Sequence, residues 1–199
     1  MNTAIITLTL ALTTTFAQAG MATNGGFETG DTFGWSSFPS PSSIFDVVSD
    51  AHSGAWAGYL HNPHIGSGAV IKQANLGAGS IAAGAAVHIE FWAKGSAGIG
   101  GVFFAEFFSE LDGGGVSAAE ILGGAPIFLT DTYTFYSFDT FAGPDVSGGV
   151  TLQFGAITGA VDGSFSTAYI DDVVVSFVPA PGSAMLLGLG GLAATRRRR

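Results

Sequence analysis

The sequence contains no cysteine, which excludes disulfide scaffolds, cysteine-ligated zinc, iron–sulfur clusters and thiol nucleophiles. Positive charge is nearly as scarce. Of six Lys and Arg residues, four form the terminal run Arg196, Arg197, Arg198 and Arg199, and only Lys72 and Lys94 lie elsewhere. All fifteen acidic residues fall between Glu28 and Asp172, so residues 20–178, with two lysines against fifteen acids, carry −13 while the whole chain carries −9. Such a surface repels a phosphate backbone and excludes nucleic acid as a partner. Charge of either sign amounts to only 11% of residues against 47% hydrophobic, too little for a disordered chain and enough apolar material for one packed core. Catalytic signatures are missing too: there is no GxSxG elbow, no HExxH and no GxxxxGK phosphate loop.

What is present favours strands. Thirty-one glycines and seventeen phenylalanines stand where Leu, Lys and Glu would mark a helical bundle. Residues 87–94, VHIEFWAK, alternate Val87, Ile89, Phe91 and Ala93 with His88, Glu90, Trp92 and Lys94, the period of a half-buried strand. Similar runs cover 101–111, 132–141, 150–156 and 168–177, with weaker ones at 45–49, 55–60 and 69–73. Turn residues separate them, among them Asp112-Gly113-Gly114-Gly115, Gly143-Pro144-Asp145 and Asp162-Gly163. Short strands at this spacing predict an antiparallel β-sandwich. Residues 116–122 are the one helix candidate, and the serines around Pro39 and Pro41 read as a loop.

Both ends carry patterns of another kind. Residues 4–16 are uncharged, and Ala17-Gln18-Ala19 fits the small-x-small site of a secretory signal, predicting cleavage after Ala19. From Pro179 the chain runs VPAPG-type into an uncharged stretch beginning at Gly182 and closing on the four arginines. Fourteen helical residues span roughly 21 Å, short of the ~30 Å hydrocarbon core, which suits a transient membrane hold with the arginines on the cytoplasmic side. In Pro179, Pro181, Gly182 and Arg196 to Arg199 the tail resembles PEP-CTERM sorting signals, with Ala180 where the commonest motif has Glu. The resemblance implies export, an exosortase-type processing enzyme as partner, and a destination at the cell surface or outside it. The expected organisation is a signal peptide at 1–19, a folded domain at 20–178 and a sorting tail with a short hydrophobic helix at 179–199.

Within the folded segment, NGGFETGDTFGW (24–35), IKQANL with VHIEFWAK, and YIDDVVV (169–175) resemble, in that order, jelly-roll carbohydrate-binding modules. The resemblance implies an all-β jelly-roll sandwich and a structural calcium joining its first and last strands. Glu28 and Asp171, with Asp172 beside it, would supply carboxylates, and Ser53 or Gly54 a main-chain oxygen. Alternation bears on the same site: Asp171 shares the parity of Val173, Val175 and Phe177, the expected inward row, and a buried carboxylate requires a partner that two lysines scarcely provide. A hard cation with oxygen ligands would serve. Alternatively, the alternation ends near Asp172 and both acids are solvated.

The outward row His88, Glu90, Trp92 and Lys94, taken with Phe104, Glu106 and Phe108, mixes aromatic and polar groups as a sugar-binding surface does; the other reading is that further structure covers these residues. Trp35 and Trp56 are expected to be structural. His61 and His64 read as a solvated loop, lacking further ligands at metal spacing. Glu106 and Glu110 lie ~13 Å apart along one strand, beyond the ~5 to 9.5 Å of glycosidase carboxylate pairs. The sequence therefore predicts an exported β-sandwich that binds polysaccharide without catalysis. A purely structural extracellular protein and a glycan-active enzyme are the alternatives.

Overall fold

A computed structural model describes residues 20–178 of the chain. The expectations placed on residues 1–19 and 179–199, including every sorting-signal residue from Pro179 to Arg199, lie outside the described residues. Among those described, no helix is long and apolar enough to cross a membrane.

Ten strands follow in order: β1 (Ser36–Pro39), β2 (Ile44–Val48), β3 (Ala57–Asn62), β4 (Gly68–Leu76), β5 (Ala86–Ala97), β6 (Gly101–Glu110), β7 (Val116–Ile121), β8 (Thr134–Phe141), β9 (Gly149–Thr158) and β10 (Ser166–Val178). They form two antiparallel five-stranded sheets, β1-β4-β9-β6-β7 and β2-β3-β10-β5-β8. Two expectations are corrected at the edges. The helix candidate at 116–122 is β7 plus a short 3-10 turn, because the glycine turn after Leu111 folds it back onto the free edge of β6. The serine segment contains β1, four residues on the edge of β4 with Pro39 at its end, where a missing N–H costs no ladder bond.

The core lies between the sheets. Val87, Ile89, Phe91 and Ala93 of β5 face it, as their alternation predicts, and so do Phe103, Ala105 and Phe107 of β6. Phenylalanines stitch the layers together. Phe91 of one sheet meets Phe154 of the other edge to face at 4.9 Å, and Phe103 stacks beside Phe154 at 5.9 Å. Each such ring contributes about 1.5–3 kcal/mol through burial. Trp35 is structural, as expected: it is buried and stacked on Phe27 at 5.5 Å. Trp56 is not part of the core, being 36% exposed.

One register shift decides where the functional acids point. Through Ile170, β10 keeps its even-numbered residues inward, but between Asp171 and Val174 the pairing with β5 slips, with Asp172 at φ +50°. A bulge of this kind inserts an extra residue and reverses the alternation. Asp171 therefore pairs with Trp92 and shares the outer side of the sheet, not the inward row of Val173 and Val175. It is nonetheless fully buried, since residues 49–56 roof that part of the sheet.

Candidate functional site

Beneath that roof the side chains of Glu28, Asp171 and Asp172 come close together. A Cβ on Gly26 would lie 3.7 Å from Asp171 Oδ1, from Asp172 Oδ1 and from Glu28 Cγ, so three acids from opposite ends of the chain surround one glycine. Their partners are mainly amides. Asp171 Oδ2 accepts from the N–H groups of His52 (2.8 Å) and Ser53 (3.0 Å), while its Oδ1 accepts from Asp172 N–H at 2.7 Å. Glu28 accepts from Ala55 and Trp56 N–H at 2.9 and 3.0 Å. Asp172 meets Ser53 Oγ and His52 Nδ1, both at 2.7 Å. Ser53 thus faces the acids with its N–H and hydroxyl, and Gly54 lies against the Glu28 carboxylate. Burial and the neighbouring Asp172 push the Asp171 carboxyl above its ordinary value, and the three amides pull it back. Among the described residues no three His, Asp or Glu side chains stand ready to hold a metal.

His52 has a second contact that bears on sugar binding. Its ring stacks on Trp92 at 3.7 Å with 11° between planes, and Phe135 packs near the same indole at 5.4 Å. The indole face offered for stacking is occupied from within. Its row neighbours are engaged as well: His88 bridges Asp139 at 2.7 Å and Glu90 at 3.3 Å, and Lys94 pairs with Asp50 at 2.6 Å. The Asp139 hydrogen bond holds the His88 imidazole above the usual histidine value.

The predicted sugar surface also divides. His88, Glu90, Trp92 and Lys94 lie on β5, whereas Phe104, Glu106 and Phe108 lie on β6 in the other sheet, so the two sets occupy opposite outer faces of the sandwich. On the β6 side, register sets Phe38, Val70, Gly155 and Phe104 in one cross-strand row and Lys72, Gln153 and Glu106 in the next. Phe108 continues the strand beyond Glu106. Phe38 is 55% exposed with the Lys72 ammonium 5.3 Å from its ring centre, and Gln153 donates to Glu106 at 2.7 Å. Glu110 accepts from Thr151 at 2.7 Å. Sequence reasoning found Phe104, Glu106 and Phe108 but missed Phe38, Lys72 and Gln153, because only pairing across β1, β4 and β9 brings them to that face. His61 closes β3 against Thr167 at 2.8 Å and His64 lies in the following turn, so the two do not converge.

The sequence matches no known protein family and no curated protein. Its fold, by contrast, matches solved structures. The CBM22-1 xylan-binding domain of Paenibacillus barcinonensis Xyn10C superposes with a TM-score of 0.58 at 16% identity, covering 82% of this chain and 99% of that one. The enzymatically active domain of bacteriophage CBA120 tailspike protein 4 gives 0.63 at 17% over 80% of this chain, but the match spans only 21% of that chain. A Stig cyclase from Fischerella sp. TAU gives 0.57 at 15% over 79% of this chain and 96% of that one. The fold is that of the jelly-roll carbohydrate-binding modules, and at these identities the likeness extends to the fold alone.

Proposed function

We propose that the domain binds polysaccharide without catalysis, on the outer face of the β1-β4-β9-β6-β7 sheet. The observation that carries this reading is the adjacency of Phe38, Phe104 and Phe108 to Lys72, Gln153 and Glu106 on that face, combined with the occupied indole of Trp92 on the other. Apolar sugar faces stack on aromatic rings while hydroxyls meet amide, carboxylate and ammonium groups between them. Glu106 and Glu110 serve as hydrogen-bond acceptors on this face and are too far apart along β6 to act as a hydrolytic pair. The similarity to a xylan-binding domain makes xylan the first polysaccharide to try. Affinity electrophoresis in xylan and related polysaccharides tests the reading. Phe104→Ala is expected to weaken retardation by about tenfold or more in affinity, Glu106→Gln by less, and Trp92→Ala not at all. Loss through Trp92→Ala with Phe104→Ala neutral would overturn the choice of face.

The same reading includes export by the signal at 1–19 and exosortase-type sorting by Pro179, Pro181, Gly182 and the arginine run, which would place the binding faces at the cell surface or beyond it. It is supported by the order of those sequence features. Intact mass measurement of native protein is expected to return a chain lacking Met1 to Ala19 and the region from about Gly182. A cytosolic product still ending in four arginines would sink it.

A structural calcium completes the reading. Its support is the approach of the Asp171 and Asp172 carboxylates to each other beside Gly26, with the Glu28 side chain next to them. Oxygen-rich carboxylate sites suit calcium, and here binding would require Asp172 to exchange His52 and Ser53 for the ion.

A further inference from the structure

The outer face of the β2-β3-β10-β5-β8 sheet holds a site that this reading leaves unused. Beyond the roof of residues 49–56, register sets Asp46, Tyr59, Tyr169 and Lys94 in one row and His61, Thr167 and Ser96 in the next. The rings of Tyr59 and Tyr169 lie 5.0 Å apart at 47°, and the His61 ring runs parallel to that of Tyr59 within 7°. Alongside is a cleft of about 260 Å³ lined by Asp50, Lys94, Ser96, Asp131, Thr167 and Tyr169.

The chemistry of the cleft selects among ligands. An anion finds no free cation: Lys94 is bound to Asp50 at 2.6 Å, Asp131 adds a second carboxylate, and the surrounding segment is strongly acidic. A cationic ligand finds its place taken, because the Lys94 ammonium already lies 5.0 Å from the Tyr169 ring centre and 4.8 Å from that of Tyr133. Purely apolar ligands would take the Asp131 carboxylate and the Lys94–Asp50 ion pair out of water without replacing their hydration. What remains is a neutral, hydroxylated ligand with an apolar ring face. Burial raises the Tyr59 and Tyr133 phenols, so both stay neutral in the physiological range.

We propose that this cleft is a second carbohydrate site, on the sheet opposite the first. Its volume lies below the ~300–1,000 Å³ of drug-sized pockets, which suits one or two sugar rings at a chain end or branch instead of the interior of an extended chain. The inference rests on the polysaccharide reading and adds a consequence to it. Sites on opposite faces of a sandwich bind two chains at once, making the module a cross-link with avidity between chains.

Titration calorimetry of the full chain with xylohexaose, cellohexaose and β-1,4-galactotriose tests this. With the probe that binds best, wild type is expected to show two sites per chain. Tyr169→Ala removes one, weakening it at least about tenfold. Because Tyr169 lies on a central strand, Ser96→Trp serves as a second variant that fills the cleft from an exposed position. It should leave one site, and Phe104→Ala should leave the other. One site in wild type, lost with Phe104→Ala and indifferent to Ser96→Trp, overturns the second site while the first stands. Two sites unaffected by both cleft variants also overturn it. Binding of none of the probes, nor of any polysaccharide in the electrophoresis above, removes the first reading and this one together.

Discussion

At the scale of single residues, Gly54 is constrained twice over. It has φ +63°, and a Cβ there would stand 2.4 Å from the Glu28 carboxyl carbon. The first condition strains any other residue by about 1–2 kcal/mol, and the second would force Glu28 off the amides of Ala55 and Trp56. Gly54→Ala is expected to lower stability by about 2–4 kcal/mol in urea denaturation. A change below about 0.5 kcal/mol would mean that the Glu28 contacts contribute nothing. The sequence placed Gly54 in this cluster through a motif, with Ser53 or Gly54 expected to offer a main-chain oxygen, and gave no sign of the close approach to Glu28.

At the scale of elements, β5 carries two neighbours with opposite duties. Phe91 is fully buried among Tyr136, Phe138 and Phe154, while Trp92 faces outward beneath His52. Phe91→Ala is expected to cost about 3–5 kcal/mol, and Trp92→Ala about 2 kcal/mol from a half-buried stack. Thermal melts of both variants decide it: equal losses would make both faces of β5 core. This strand shows why part of the fold was legible. Strict alternation in a long central strand encodes which side is inward, so β5 and β6 were recognisable together with their faces, while β8, β9 and β10 were recognisable from their β-branched and aromatic runs. The edge strands β1 and β7 carry no such signal, since they are largely exposed and take their conformation from the partner's free edge. Alternation also failed at Asp171, where one extra residue reversed the parity that the inward assignment relied on. The combined sugar surface failed for a topological reason: β5 and β6 are consecutive in sequence yet belong to different sheets.

At the scale of the molecule, the carboxylate cluster fastens the two ends of the folded segment to its middle. Glu28 precedes the first strand, Asp171 and Asp172 lie in the last, and His52 to Trp56 join them from the loop between β2 and β3. The contacts from Ser53 to Asp172 span 119 residues, so the cluster closes most of the folded segment on itself. Anything that binds this cluster only in the folded state stabilises the entire domain by mass action, not merely the loop. At free calcium a hundredfold above its dissociation constant the gain is roughly 2.7 kcal/mol, which raises the melting temperature of a domain this size by about 5–11 °C. Asp171→Ala should melt lower and lose the calcium response. His52→Ala frees Asp172 from its imidazole partner, and it should keep the response and tighten the half-saturating calcium concentration. Identical melts of wild type in calcium and in chelator, with metal content verified by mass spectrometry, would leave the amide contacts alone as the fastening between the two ends of the chain.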